Sequence, residues 1–237
     1  RDISLADAVK KMRGAAGATV KLTILRESDN KVMDILVKRD KVKVKSIREA
    51  KLLAGNVGYI RIASFQERSA EDFEEALNSL ESQGMTGLIL DLRNNAGGLL
   101  NSAIEVTEKF IPEGQLIVST QGRNPKKNTS YLSHNKNPHK PHPLIVLVDK
   151  GSASGSEILS GAIQDDHLGT IVGAKTYGKG SVQSLIPLDN GSAIRMTTSR
   201  YYTPNGRLIH EIGVIPDVAV EAEGDKKIKD NQLERAL

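Results

Sequence analysis

The sequence has no cysteine, no tryptophan, only 3% aromatic residues and no long apolar run in its 237 residues. Without cysteine there is no thiol nucleophile, no disulfide framework and no cysteine-based zinc site. With so few aromatic rings, a base-stacking surface for nucleic acid has little to be built from. No stretch approaches the roughly 18 apolar residues of a membrane-spanning helix, and the N-terminus carries nothing like a signal peptide. The chain starts at Arg1 rather than methionine, inside what reads as structure, so a preceding segment is expected.

What is present is ordinary for a globular chain, with 38% apolar and 26% charged residues. That is enough for one good core and a small appendage. The net charge of +4 is mild, and much of its excess falls early, in Lys38, Arg39, Lys41, Lys43, Lys45, Arg48 and Lys51. The alternation of lysine and valine over 41–45 reads as an exposed strand with one solvated face, not as a nucleic-acid surface.

Residues 1–45 read as a small first unit. Ser4 caps a helix whose apolar positions Leu5, Ala8, Val9 and Met12 fall at helical spacing. Val20, Leu22 and Ile24 alternate as a strand, Asp29-Asn30 turns, and Val32, Ile35 and Val37 return. This is too little for an independent core and reads as the end of a domain.

Residues 46–220 read as the main unit. A strand over 57–62 is followed by a helix from Ser69 to Gln83, with Ser69 and Asp72 as a capping pair and Phe73, Ala76, Leu77 and Leu80 as its apolar face. An apolar strand then enters the turn Asp91-Leu-Arg-Asn-Asn-Ala-Gly-Gly98, and a helix follows. Residues 121–143 form a polar, proline-containing loop with a short strand near Tyr131, and Leu144–Val148 is a buried-type strand. Later strands are expected at 184–188, 193–198 and around Tyr201 and Tyr202, and 221–237 reads as a charged tail or helix. Strands alternating with helices, then strands in succession, predict an α/β fold with a mixed sheet and flanking helices.

The chemistry concentrates in 151–183. Ser154-Gly-Ser-Glu157 is a capping box, so Ser154 either caps the following helix or serves as a nucleophile at its N-terminus, where Gly155 offers an unhindered N–H. A serine needs a base. His167, behind Asp165 and Asp166, is one candidate, but no G-x-S-x-G motif surrounds the serines. Lys179, in Tyr177-Gly-Lys-Gly180, is the other, and acting as a base requires it to be neutral through burial or a neighbouring positive charge. The run Gly173 to Lys179 has P-loop spacing, but Gly180 stands where Ser or Thr is required and a strand follows. The Asp91–Gly98 turn has the strand–glycine–helix layout of an anion site, or of a plain βα turn. His134, His139 and His142 have metal-like spacing in surroundings that offer no carboxylate, so no metal is expected.

The runs Asp91-Leu-Arg-Asn-Asn-Ala-Gly-Gly98, Gly151-Ser-Ala-Ser-Gly-Ser-Glu-Ile158 and Tyr177-Gly-Lys-Gly-Ser-Val-Gln183 resemble, in order, the motifs of the carboxyl-terminal processing (tail-specific) serine proteases. The resemblance implies a ClpP/crotonase-like core and a serine endopeptidase without metal or cofactor. It implies Ser154 as nucleophile, Lys179 as base and Gln183 orienting the lysine. Gly97 or Gly98 and Gly155 are implied as oxyanion donors, and Glu157, Asp165 and Thr176 as supporting residues. Gly155 departs from the family's usual alanine. A straight strand would hold Gln183 about 13 Å from Lys179, so Gly178 and Gly180 are expected to bend the chain. Residues 1–45 resemble only the C-terminal part of the family's PDZ domain, without its carboxylate-binding loop. The implied partners are protein or peptide substrates with exposed apolar C-termini, an adaptor protein or a second copy of the chain, and no nucleic acid. The implied location is extracytoplasmic, periplasmic or membrane-associated. The alternative is a protease-like scaffold that binds peptides without cutting them.

Overall fold

The structure is a computed structural model that describes residues 3–26, 28–40, 45–136, 139, 141–223 and 230–237. It divides into two compact units, Arg1–Val44 and Lys45–Leu237.

In the first unit α1 (Leu5–Met12) precedes the antiparallel pair β1 (Thr19–Arg26) and β2 (Lys31–Lys38), in register from Thr19 opposite Lys38 to Arg26 opposite Lys31. Ser4 caps α1 as its sequence suggests, its Oγ accepting from the Asp7 N–H at 3.1 Å. The lysine–valine run over 41–44 lies outside the described residues.

The second unit opens with β3 (Ile47–Leu53), β4 (Val57–Ile62) and α2 (Ser69–Ser82). It continues through β5 (Gly87–Asp91), α3 (Leu100–Glu108), β6 (Leu116–Gly122) and β7 (Thr129–Leu132). Then come β8 (Leu144–Val148), α4 (Gly155–Asp165), β9 (Thr170–Gly173), β10 (Ser181–Pro187) and β11 (Ala193–Tyr202). The last described elements are β12 (Val218–Ala219) and α5 (Asn231–Ala236).

Six strands form one mixed sheet in the order β12-β9-β8-β5-β4-β3. All neighbours are parallel except β3 against β4. Such strands are covered on both faces and read as nearly continuous apolar runs. Alternate residues still divide between the faces. Ile60, Ile62, Leu88, Leu90, Val146 and Val148 pack with Phe73 and Leu77 of α2, Ala103 and Val106 of α3, and Leu159 and Ile163 of α4. Tyr59, Ile89, Leu147 and Val172 face the other way and pack with Ala236 of α5. A second, antiparallel sheet runs β10-β11-β6-β7, and its Ile117, Val118 and Tyr201 cluster with Ile104 of α3 and Ile158 of α4. The architecture is the expected α/β fold.

Two local readings are corrected. Ser69 does not cap α2: Arg68 holds that position without a side-chain cap. The buried Ser69 hydroxyl instead accepts from the Gln66 N–H and donates to Ser46 Oγ, both at 2.6 Å. Residues 193–202 form one strand, not two, because pairing with β10 passes directly into pairing with β6 at Ser199 and Arg200.

Candidate active site

Strands β5 and β8 are parallel neighbours, with Asp91 opposite Leu147, so the turns that leave them emerge at the same end of the sheet. Open α/β sheets place their ligands outside the carboxyl ends of the strands. The first turn runs from Leu92 to Leu99 into α3, and the second from Asp149 to Ser154 into α4.

The two turns are laced together. Asp149 Oδ1 accepts the N–H groups of Asn94 (2.8 Å) and Gly151 (2.9 Å). Ser152 Oγ donates to the Leu92 carbonyl at 2.9 Å. The buried Asn95 carbonyl accepts from the Ala153 N–H (3.0 Å) and Ser156 Oγ (2.8 Å). Asn95 Nδ2 donates to the Ile62 carbonyl at 3.0 Å.

These contacts hold Ser154 in a backbone conformation that side chains rarely adopt, φ 56° and ψ −112°. Such a residue costs of order 1–3 kcal/mol and persists only where its surroundings over-determine it. Strained serines at strand-to-helix turns present their hydroxyl outward. Ser154 takes its strained backbone at the start of α4 without that motif's sequence.

Glu157 is fully buried and joins the second turn to the third motif. Its Oε1 accepts from Thr176 Oγ1 and the Gly178 N–H, both at 2.6 Å. Its Oε2 accepts from the Ser154 N–H at 2.8 Å and the Lys179 N–H at 2.9 Å. The glutamate arm of the capping box is therefore well formed, while the Glu157 N–H is closed by the Ser154 carbonyl at 2.9 Å. Because Ser154 and Lys179 share one oxygen, their amide nitrogens lie within about 6 Å, twice a hydrogen-bond length. Thr176 Oγ1 also accepts from the Val214 N–H at 2.7 Å, tying 214 to the same carboxylate.

Lys179 is exposed. Gln183 is exposed too, just past a register shift between Val182 and Gln183. Gly178 has a positive φ of 90°, and Gly180 does not. Among the described residues, no hydrogen bond or ion pair joins Lys179 Nζ to Ser154 or Gln183. Asp165 stands apart, at the opposite end of the 11-residue α4, about 16 Å along its axis. There it accepts from the Asn205 N–H at 2.8 Å and pairs with Arg207. His167 is exposed beyond the same end, out of reach of Ser154.

Gly97 lies against Ser154, where a Cβ would come within 2.7 Å of Ser154 Cβ. Its N–H donates to Asn95 Oδ1 at 2.9 Å. Gly98 forms a parallel bridge with Phe65, through Phe65 N–H to the Gly97 carbonyl (3.0 Å) and Leu99 N–H to the Phe65 carbonyl (2.9 Å). That pattern turns the Gly98 N–H away from Phe65. Among the described residues the N–H groups of Gly98 and Gly155 take no partner. A Cβ on Gly155 would lie 2.9 Å from both Ala103 Cβ and Phe65 Cδ2. Gly155→Ala is therefore expected to destabilise this chain by about 1–3 kcal/mol through overpacking. An unchanged or higher denaturant midpoint would contradict that packing argument.

The histidine segment needs a correction. Carboxylates do reach it, from α2 and α3. His139 lies between Glu74 (2.9 Å) and Glu81 (3.3 Å), His142 beside Glu81 (3.3 Å) and His134 beside Glu108 (3.1 Å). Among the described residues no group of three or more is arranged to hold a metal ion. Burial pushes the Glu74 carboxyl up, but Lys109 at 2.8 Å and His139 outweigh it and leave it below its ordinary value. A lowered carboxyl contributes stability that is complete above its unfolded value, about 4.3, and is lost as pH falls through the folded one. Thermal melts between pH 6 and 3 should show this acid-side loss flattened in Glu74→Gln, and identical slopes would refute it.

Residues 56–220 match the family described as peptidase family S41. A carboxy-terminal-processing protease of Bartonella bacilliformis is 42% identical over 230 residues, covering 95% of this chain and 52% of that protein. Carboxy-terminal processing protease CtpB of Bacillus subtilis is 38% identical over 218 residues, covering 90% of this chain and 45% of that one. Among solved structures, the photosystem II D1 C-terminal processing protease superposes with a TM-score of 0.69 at 30% identity, covering 92% of this chain and 60% of that one. The chain spans about half the length of these curated relatives.

Proposed function

The chain belongs to peptidase family S41, and on that premise we propose that it is the catalytic part of a serine endopeptidase that cuts near the C-termini of protein substrates. The observation that carries this reading is the sharing of one Glu157 oxygen by the amides of Ser154 and Lys179. Amides that share one oxygen lie within about 6 Å of one another, which supports a pairing of the serine hydroxyl with a lysine on a four-carbon stem.

In this reading Lys179, neutral when substrate covers it, takes the Ser154 Oγ proton as Oγ bonds to the scissile carbonyl carbon. The oxyanion is held by the N–H groups of Gly98 and Gly155. Engagement of the Gly97 N–H by Asn95 favours Gly98 over its neighbour. The lysine then gives its proton to the leaving amine as the C–N bond breaks. It next deprotonates a water that hydrolyses the acyl-serine and returns a proton to Oγ. Gln183 steadies the lysine in that closed arrangement, Glu157 and Thr176 position both partners, and Asp165 braces the distant end of α4. No metal or cofactor takes part.

The first unit is the C-terminal part of a PDZ-like domain that grips a substrate's apolar C-terminus. The exposure of Leu5 (81%) and Leu36 (73%) supports a unit that packs against further protein. The setting is extracytoplasmic, and an adaptor protein or a second copy of the chain is a candidate partner.

The exposed Lys179 favours a second reading, a scaffold that holds peptides without cutting them. One experiment separates the two. A peptide with an apolar C-terminus is incubated with the full-length parent protein, with Ser154→Ala and with Lys179→Ala. Cleavage by the parent alone supports the protease. Cleavage surviving either substitution refutes the dyad, and binding without cleavage by the parent supports the scaffold.

A further inference from the structure

The C-terminal residues 230–236 read in sequence as the end of a charged tail, yet they hold the side chain at the root of the oxyanion turn. Arg93 is 6% exposed and Asp91 fully buried. The Arg93 guanidinium has five N–H donors, and every one is taken. Nε donates to Asp91 Oδ1 at 3.0 Å. Nη2 donates to Asp91 Oδ2 at 2.7 Å and Asp230 Oδ2 at 2.8 Å. Nη1 donates to Asp230 Oδ1 at 2.7 Å and Gln232 Oε1 at 3.2 Å. Asp91 accepts in addition from the Arg93 N–H (2.9 Å) and the Tyr59 hydroxyl (2.6 Å). Burial alone would lower the Arg93 pKa, but the two carboxylates raise it further above its ordinary value than burial lowers it.

α5 has six residues, too few to hold its shape alone, and it is fixed from several sides. Asp230 Oδ1 caps it by accepting from the Leu233 N–H at 3.1 Å. Gln232 Nε2 donates to the Val220 carbonyl at 2.7 Å. Leu233 and Ala236 pack on the sheet face formed by Tyr59, Ile89, Leu147 and Val172. One carboxylate thus fastens α5 and Arg93 together. Beyond Arg93 the chain runs directly into Asn95, whose carbonyl receives the Ala153 N–H and Ser156 Oγ and whose side chain sets Gly97.

We propose that Asp230 is a positioning residue of the active site. Through Arg93 it fixes the turn that presents Gly98 to Ser154, so that the C-terminal segment is part of the catalytic support. Its kinetic consequence rests on the protease reading above, whereas its structural consequence does not.

The test uses the full-length parent and its Asp230→Asn, Asp230→Glu and Glu221→Gln variants. Among the described residues the Glu221 side chain makes an exposed ion pair with Lys150, while its carbonyl, which the substitution keeps, accepts from Asn231 Nδ2 at 2.8 Å, so it serves as the control. Asp230→Asn presents an amide group to a guanidinium and breaks one arm of the clamp. Amide hydrogen exchange over 92–98 should quicken in Asp230→Asn and stay unchanged in Glu221→Gln. Because small displacements of reacting groups carry large rate penalties, kcat should fall by about tenfold or more, with KM within about twofold. Asp230→Glu, which keeps the charge, should recover part of the loss. Unchanged exchange over 92–98 in Asp230→Asn would overturn the proposal. So would faster exchange confined to 231–236 with kcat unaltered, since that describes a segment contributing stability alone. If Ser154→Ala retains cleavage, the protease reading fails while the exchange result still decides whether Asp230 orders the turn.

Discussion

Replacing Glu157 with glutamine should remove nearly all cleavage and much of the stability, although the two side chains have the same shape. Both carboxylate oxygens are fully engaged, each by two donors: Thr176 Oγ1 and the Gly178 N–H on one, the Ser154 and Lys179 N–H groups on the other. Thr176 can turn its hydroxyl and accept through the lone pair that the Val214 N–H leaves open, but the Gly178, Ser154 and Lys179 N–H groups can only donate. A glutamine must turn its NH2 toward one pair, setting donor against donor in a site with no exposure. Each buried donor left unsatisfied costs about 1–3 kcal/mol, so the one or two left here cost about 1–6 kcal/mol. For a unit of this size that lowers the melting temperature by roughly 2–24 °C. Cleavage should fall by about 100-fold or more, because Ser154 and Lys179 lose the oxygen that sets their spacing. Glu157→Asp keeps the charge but shortens the reach, and should recover stability more than activity. A glutamine variant with parental melting and turnover would show that the carboxylate does not set the site.

Ser154 should show activity and stability moving in opposite directions. Ser154→Ala keeps the Cβ and so the backbone strain, and cleavage should fall by roughly 10⁴–10⁶-fold, as when other serine peptidases lose their nucleophile. Ser154→Gly should be equally inactive but relax a backbone at φ 56° and ψ −112°. Relief of about 1–3 kcal/mol of strain, less about 0.5–1 kcal/mol for the added freedom of glycine in the unfolded chain, leaves a net gain of about 1 kcal/mol. Comparison of the two variants by chemical denaturation isolates that strain. If Ser154→Gly is less stable than Ser154→Ala, the backbone at 154 is not held under strain.

The strand–turn–helix order was legible because it rests on local periodicity, and the three motifs were legible because each is contiguous. The lattice between them was not. The donors to Glu157 come from its own turn and from 19 to 22 residues away, and their convergence depends on where β9 ends relative to α4. Asn95, Ser152 and Asp149 act mainly through backbone groups of the opposite turn, and only their polarity beside glycine hinted at it. Glu74 and Glu81 reach His139 across 65 and 58 residues, which is why the histidines looked unaccompanied. Ser69 read as a cap because Asp72 follows at the right interval, but Ser46, 23 residues earlier, takes its hydroxyl. Asp230 carried no signal: its partner Arg93 lies 137 residues away in a motif that is already complete by itself.

The claim on which the account stands is that Ser154 forms a covalent bond with the substrate. With a peptide ester, whose good leaving group makes acylation fast, the acyl-enzyme accumulates and can be acid-quenched and weighed intact. The full-length protein should gain the mass of the acyl half of the substrate, peptide mapping should place it on Ser154, and Ser154→Ala should show neither adduct nor turnover. An adduct on another residue, or turnover that persists in Ser154→Ala, would contradict the account.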